Sequence, residues 1–328
     1  MIREGWAQSA KEGGNENSLW EEVFSLVSST SSRYTGSDVP IRFFEEDMHD
    51  LWYLFFQASM NISGERAEQD RLVMQVLYAR ELGVLLRKGE NMEIVGEAVT
   101  LDGKIYKDLP FLVGDMTDYW IRESGNMSTN QRQNFASFLA KLSAAGVADD
   151  KLCGCALITL RDTLEATRRL GKGAASPTVV SERQGYQVER NDHRNDEALS
   201  IAELLPAANA WIFYAGYKII QLSDNSVNIF PVQVGMLGDL ARAEGVIPEN
   251  SGFSPQRWLF WVKRLGEIEK SETVGEEEAG IATFARGMMN SMLNMVSSSD
   301  STMTRELARQ EKLPYQWVLE GKLGPPSL

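Results

Sequence analysis

The chain has 328 residues, of which 43% are hydrophobic and 24% charged, a composition typical of a folded globular protein and not of a disordered one. Lys and Arg total 33 against 46 for Asp and Glu, which gives a formal net charge of −13. Proteins that bind nucleic acid or anionic membranes normally use a basic face, so we expect no nucleic-acid partner and no membrane partner.

Histidine and cysteine are scarce: the chain has His49, His193, Cys153 and Cys155. A structural zinc site needs four nitrogen or sulfur ligands, and these residues lie in separate segments, so we expect none. His49 lies among acidic residues and His193 in a polar segment, and neither placement predicts a catalytic base. A disulfide across one intervening residue would be strained, so we interpret the cysteines as buried thiols on a helix. The alternative is a redox or soft-metal pair.

The cysteine content and the apolar pattern also predict where in the cell the protein is located. Few cysteines, no signal-peptide pattern and no stretch of about 20 apolar residues predict a cytoplasmic protein that is not secreted. A nuclear location stays open.

Apolar residues at helical spacing predict an all-α fold, with roughly nine to ten helices in an irregular array. A flexible tail over 1–17 precedes an N-terminal helical half over 18–170. Its predicted helices cover about 19–27, 41–60, 65–88, 109–123, 128–146 and 150–171. Ser128 with Gln131 predicts a capping box at the start of the fifth of these. The pattern is expected to break over 28–36. A β-prone run before Asp102-Gly103 predicts either a short hairpin near residues 92–106 or an irregular loop.

A stretch rich in glycine and charge over 171–196 predicts a flexible loop or linker. The C-terminal helical half, 197–313, is expected to pack on the first half. Its predicted helices cover about 196–222, 236–244, 255–270, 276–295 and 301–313, and a tail over 314–328 follows. Ser254 and Pro255 suit the N-cap and first position of one of these helices.

Several short segments are similar to one known family. They are 108–112, 134–138, 160–165, 205–208 and 252–261, of which the last is the most specific. Together they resemble a family of fungal intracellular proteins classified as domain of unknown function 3632. The resemblance implies an α-helical fold and a fungal source. The family has no agreed catalytic residues, so the resemblance implies no site residue.

The densest acidic cluster contains Glu46, Asp47 and Asp50, which match the pattern (D/E)-D-x-x-D on one side of a predicted helix. Carboxylates in this arrangement can hold Mg²⁺, and the ion can clamp a diphosphate. The second metal motif of such enzymes fits poorly, because Tyr119 stands where an oxygen ligand belongs. The alternative is an exposed acidic helix start, which the helix dipole favours.

Aromatic residues suggest a pocket. The candidate lining residues are Trp52, Phe55, Trp211, Arg257, Trp258 and Trp261. They suit a flat or isoprenoid ligand, but they equally suit a core that the aliphatic part of Arg257 covers while its charge reaches water. Asp115 and Asp118 could form an acid–base pair if buried, and otherwise a surface pairing with Arg122. Glu165 and Arg168 are interpreted as a surface ion pair.

These patterns predict a helical protein that binds a small molecule or a protein partner and needs no cofactor. No glycine-rich phosphate loop is present, which argues against nucleotide-binding folds. The alternative function is a Mg²⁺-dependent enzyme of secondary metabolism that acts on a prenyl diphosphate as a cyclase or lyase. The sequence predicts neither the ligand nor the oligomeric state.

Overall fold

A computed structural model describes residues 16–36, 39–88, 91, 93–171, 198–246, 252–271 and 275–304. Within these ranges the fold is all-α, as predicted, with eleven α-helices and two small antiparallel strand pairs. The chain begins with helices α1 (Glu16–Gly36), α2 (Arg42–Asn61) and α3 (Ala67–Glu81). None of the described helices is both long and apolar enough to cross a membrane.

The strands follow α3. Strand β1 (Leu86–Lys88) pairs with β2 (Ile94–Glu97), and β3 (Val99–Thr100) pairs with β4 (Gly103–Lys104). The predicted hairpin is confirmed, because β3 and β4 are joined by the two-residue turn Leu101-Asp102, and Gly103 begins β4.

Two helices then lead to an irregular turn. These are α4 (Leu112–Glu123) and α5 (Thr129–Ala144), and the predicted capping box of Ser128 and Gln131 opens α5. A 3₁₀ turn (Lys151–Cys153), α6 (Gly154–Leu160) and a π-helical turn (Arg161–Glu165) follow without a break. The second half contains α7 (Ile201–Asp224), α8 (Val232–Gly235), α9 (Asp239–Ala243), α10 (Pro255–Lys270) and α11 (Glu276–Ser298). Ser254 caps α10, because its hydroxyl accepts from the Arg257 amide at 3.1 Å.

Three predicted helix boundaries were wrong, one of them because the helix predicted over 150–171 ends at Glu165. The pattern over 28–36 does not break, because Thr30 and Tyr34 are buried at helical spacing after Val27, and α1 continues. The hydroxyls of Ser31 and Ser32 donate to carbonyls one turn back, at 2.9 and 3.0 Å. The helix predicted over 65–88 ends at Glu81, and Gly83 then turns the chain with φ of 73°. Residues 1–15, 172–196 of the predicted linker, 305–313 of the last predicted helix and the tail 314–328 lie outside the described residues.

One hydrophobic core draws side chains from both sides of residues 171–196. Helix α5 packs along α7, and Arg132 of α5 donates to the Glu203 carbonyl of α7 at 2.8 Å. Tyr214 of α7 donates to the Gly64 carbonyl at 2.9 Å. The division of the chain into two halves stays a prediction.

Candidate functional site

A cleft of about 860 Å³ opens on the side of the molecule where α4 begins. Its walls come from the segment 101–115, from the loop 146–151 after α5, and from Arg80 of α3. Three separate parts of the chain therefore meet there, and the volume falls within the range of about 300–1,000 Å³ that small-molecule sites occupy.

The walls of the cleft contain an unusual backbone. Four of its non-glycine lining residues adopt left-handed conformations: Leu109 (φ 49°), Phe111 (φ 65°), Ala148 (φ 59°) and Asp149 (φ 48°). Each such residue costs of order 1–3 kcal/mol and persists only where its surroundings hold it in place. The Phe111 amide donates to Asp102 Oδ2 at 2.6 Å, and the indole of Trp52 donates to the Pro110 carbonyl at 2.7 Å. The sequence thus stabilises a strained wall, a feature that clusters at functional sites.

The charged side chains that line the cleft differ in whether the protein already binds them. Asp102 accepts from the Phe111 amide, and Asp108 accepts from the Lys104 amide at 2.8 Å. In the part of the chain that the structure describes, the Lys107 and Lys151 ammonium groups form no ion pair or hydrogen bond. The cleft therefore offers two ammonium groups to a ligand beside four carboxylates, of which those of Asp102, Asp108 and Asp115 accept hydrogen bonds from the protein and that of Asp149 is the fourth.

A histidine lies against the same wall. His49 of α2 shares a hydrogen bond of 2.7 Å with Asp115 through its Nδ1, and its ring lies 4.4 Å from that of Phe111, tilted by 31°. Both contacted residues line the cleft, whereas His49 itself is not among the lining residues. A carboxylate only accepts, so Nδ1 carries the proton when the imidazole is neutral, and Nε2 then has a lone pair. The sequence reasoning missed this pairing, and instead expected neither histidine to be a catalytic base.

The predicted metal residues do not form a ligand set. Among the described residues, no group of three or more His, Cys, Asp or Glu side chains is placed to hold a metal ion. Glu46 is exposed, Asp50 is half-buried, and Asp47 accepts from Arg33 at 2.8 Å. Burial raises the pKa of Asp47, although Arg33 opposes this shift. The structure thus gives the magnesium hypothesis no geometric support.

The predicted pocket residues occupy the core. The side chains of Trp52, Phe55, Trp211, Arg257, Trp258 and Trp261 are all fully buried. None of them lines the cleft described above. Their burial is what the core interpretation predicts, except that Arg257 does not reach water as that interpretation expected. Of the acidic pair on α4, Asp118 lies on the surface with Arg122, at 3.3 Å.

Comparison with known proteins identifies the family. A family model described as protein of unknown function (DUF3632) matches residues 52–265. The chain belongs to the DUF3632 family. A curated relative, "Oxopyrrolidines biosynthesis cluster protein G" of Penicillium oxalicum, is 32% identical over 316 residues, which cover 96% of this chain and 84% of the relative. No solved structure shows a significant match.

Two segments that carry the DUF3632 resemblance, 160–165 and 252–261, meet inside the molecule. Glu165 was interpreted as a surface residue, but it is fully buried and bonds Arg257 Nε at 2.6 Å and the Trp261 indole at 2.7 Å through Oε1. Its Oε2 accepts from the Gly238 amide at 2.7 Å. This ion pair lies apart from the cleft lining, and its satisfied hydrogen bonds indicate a structural role.

The cysteines of this DUF3632 protein are both free and buried, as the thiol interpretation predicts. Cys153 lies in the 3₁₀ turn and Cys155 in α6. Burial raises the pKa of each thiol to about 12. A protonated, buried thiol is a poor nucleophile, so the structure gives these residues no redox or metal-binding role.

Proposed function

We propose that this DUF3632 protein binds a small anionic molecule in the cleft, and that it acts inside the cell in fungal secondary metabolism. The observation that carries the proposal is the cleft of about 860 Å³ itself, with its strained walls and with two lysines that have no partner among the described residues. A rigid, concave site with a few oriented polar groups is what recognition of a small molecule requires.

The charge of the cleft supports an anionic ligand. The chain as a whole has a net charge of −13, so most of its surface repels anions. Against that background, Lys107 and Lys151 lie on the same cleft without a protein partner among the described residues. Of the lining carboxylates, Asp102 and Asp108 already bind backbone amides. A ligand with a carboxylate or an enolate would therefore pair with the two ammonium groups, while the four lining carboxylates of Asp102, Asp108, Asp115 and Asp149 would limit its affinity.

The proposed role in secondary metabolism rests on similarity to the curated relative from Penicillium oxalicum. The name of that protein assigns it to a biosynthesis cluster for oxopyrrolidines, which are lactams of a five-membered ring. Similarity along almost the whole of this chain supports a related role here. The name gives no catalytic activity, so the proposal is binding, and the ligand class is an acidic oxopyrrolidine or a precursor of one.

The Lys107→Ala/Lys151→Ala variant is expected to bind 5-oxopyrrolidine-2-carboxylate about five- to tenfold more weakly than the unaltered protein, because each partly exposed ion pair contributes up to about 1 kcal/mol. Isothermal titration at low ionic strength measures the two affinities. Uncharged 2-pyrrolidinone, which has the same ring without the carboxylate, should bind weakly to both proteins.

The matched control is Lys88→Ala/Lys270→Ala, which removes two positive charges that do not line the cleft. It should keep the affinity of the unaltered protein. Equal losses in the two double variants, or equal binding of the charged and uncharged lactams, would show that the cleft lysines do not recognise an anion.

A further inference from the structure

We infer that the cleft takes an acidic α-amino acid, and that Asp149 binds the ammonium group of this ligand. The inference rests on the proposed binding function and names the ligand class within it. Neither the family description nor the relative's name assigns this chain a ligand or a site residue. Among the residues that the structure describes, the cleft walls hold two ammonium groups and one carboxylate without a protein partner, and that set of charges carries the inference.

Asp149 differs from the other three carboxylates that line the cleft. Those of Asp102 and Asp108 accept from backbone amides, and that of Asp115 shares a hydrogen bond with His49. The Asp149 side chain is exposed, and within the described ranges no residue bonds or pairs with it. Of the lining carboxylates, that of Asp149 therefore keeps its full capacity to accept from a ligand.

The positive charges of the cleft complete the pattern. Arg80 pairs with its neighbour Glu81 at 3.2 Å. Lys107 and Lys151 have no such partner in the part of the chain that the structure describes. Two ammonium groups and one carboxylate are thus left for a ligand, and their electrostatic complement is two carboxylates and one ammonium group. A ligand without an ammonium group would place its negative charge beside Asp149 with no compensating attraction, which lowers its affinity.

Asp149 and Lys151 lie close together but do not neutralise each other. Residues two apart in a chain have Cα atoms within about 7 Å of each other. Even so, no ion pair joins these two described side chains. An α-amino acid carries its ammonium and carboxylate groups on one carbon, so one molecule can pair with both residues. Lys107 belongs to a different wall, 101–115, and we assign it the second carboxylate, at the far end of the ligand.

The turn that carries Asp149 has an unusual backbone. Ala148, Asp149 and Asp150 are left-handed in succession, with φ of 59°, 48° and 69°. L-residues normally visit this region singly, so the surroundings must hold the turn in place. Lys218 of α7 pairs with Asp150 at 2.6 Å. The Lys151 amide donates to the Ala148 carbonyl at 3.0 Å. The backbone that presents the two charges is therefore fixed before a ligand binds, which lowers the entropy cost of binding.

An acidic amino acid is also the open-chain counterpart of an acidic oxopyrrolidine. Closing L-glutamate to 5-oxopyrrolidine-2-carboxylate joins its nitrogen to the side-chain carboxyl carbon and releases one water. The ammonium charge disappears in this step, while the α-carboxylate remains. A site that contains Asp149 therefore distinguishes the open form from the closed one and favours the precursor over the lactam.

The test compares L-glutamate with glutarate, which has the same chain and two carboxylates but no ammonium group. Isothermal titration at low ionic strength measures the affinities. The unaltered protein should bind L-glutamate about fivefold more tightly than glutarate, because a partly exposed ion pair contributes up to about that factor. 5-Oxopyrrolidine-2-carboxylate should bind more weakly than L-glutamate. This comparison uses the unaltered protein, so it does not depend on the folding of a variant.

Asp149→Asn tests the residue. Asparagine has the same size and tolerates the left-handed region, so Tm should be retained. The variant should bind L-glutamate about fivefold more weakly, because the ion pair is lost. It should bind glutarate at least as tightly as the unaltered protein does, because a repelling carboxylate is gone. A merely structural role would not affect the two ligands differently. Asp118→Asn removes the same charge from the surface of α4, outside the cleft, and should change neither affinity.

The outcomes separate this inference from the binding proposal. Three results would overturn recognition of an ammonium group and leave the anion site intact: equal affinities of the unaltered protein for L-glutamate and glutarate, equal losses of both ligands in Asp149→Asn, or tighter binding of the lactam than of L-glutamate. A preference for L-glutamate that falls as much in Asp118→Asn as in Asp149→Asn would be a general effect of charge and would overturn the role of Asp149. Failure of all three molecules to bind would overturn both proposals.

Discussion

Replacing Arg257 with methionine is expected to lower the free energy of unfolding by about 3–5 kcal/mol, because the change leaves the Glu165 carboxylate buried without its counter-charge. Both side chains are fully buried. The guanidinium uses all five of its N–H groups. Nε and Nη2 donate to Glu165, at 2.6 and 3.2 Å, and the remaining donors bond the carbonyls of Gly235, Gly252 and Met236. Methionine matches the length of the side chain and satisfies none of these acceptors.

Urea unfolding followed by circular dichroism measures this loss, with Arg122→Met as the matched control. Arg122 pairs with Asp118 on the exposed side of α4, so its loss should cost less than about 1 kcal/mol. The double variant Glu165→Leu/Arg257→Met should recover part of the stability, because it removes the stranded charge as well. A single variant Arg257→Met as stable as the control would show that Glu165 finds another partner or a proton at little cost.

The ion pair of Glu165 and Arg257 also explains why Gly238 lies so close to the π-helical turn. A Cβ atom on Gly238 would lie 2.6 Å from the carbonyl oxygen of Glu165. The loop before α9 therefore comes against the π-helical turn as only glycine allows, and the Gly238 amide reaches Glu165 Oε2. The ion pair joins segments that lie 92 residues apart in the chain, so it stabilises the tertiary fold and not a single helix.

Much of the fold could be predicted from the sequence, because helices, caps and turns depend on residues that are close together in the chain. Apolar spacing gave the helical class, Ser128 with Gln131 gave a capping box, and Asp102-Gly103 gave a hairpin turn. The helix boundaries that were wrong depended on tertiary contacts. Burial of Thr30 and Tyr34 in the core extends α1 through a serine-rich segment where a propensity argument ends the helix.

The site was harder to predict because its partners are distant in sequence. His49 and Asp115 are 66 residues apart, and each alone reads as part of an acidic surface. The left-handed backbone at Leu109 and Phe111 has no sequence signature, since neither residue is glycine or asparagine. The aromatic residues led to the opposite error. In sequence, residues such as Trp258 are compatible with either a pocket or a core, and in the structure Trp258 is buried in the core.

Raising the pH from 9 to 11 is expected to lower the free energy of unfolding by on the order of 5 kcal/mol, because three buried acids must ionise in the unfolded chain but not in the native one. Burial raises the pKa of Cys153 and Cys155 from 9.0 to about 12. It raises the pKa of Tyr106 from 10.0 to about 12, although a hydrogen bond from Ser31 opposes the shift. The Tyr106 hydroxyl itself donates to the Val27 carbonyl at 2.8 Å, a bond that the phenolate cannot make.

The sign of this change in stability follows from the difference between the numbers of protons bound in the unfolded and the native states. Below pH 9 the thiols are protonated in both states, and their contribution to stability is fully present. Between pH 9 and about 12 the unfolded chain releases these protons while the native state keeps them, so each thiol costs about 1.4 kcal/mol for every pH unit. Tyr106 adds a similar slope above pH 10. Urea unfolding at pH 8, 9, 10 and 11, with reductant present, measures the combined slope.

The Cys153→Ala/Cys155→Ala variant separates the thiols from the general alkaline loss of lysine charge. Alanine does not ionise, so the variant should be less stable at pH 8, where the core loses two buried sulfur atoms, but should lose stability more slowly between pH 9 and 11. Tyr106→Phe should flatten the curve only above pH 10. Parallel curves for the thiol variant and the unaltered protein would mean that water reaches the thiols in the native state, and that the helices around α6 open before the chain unfolds.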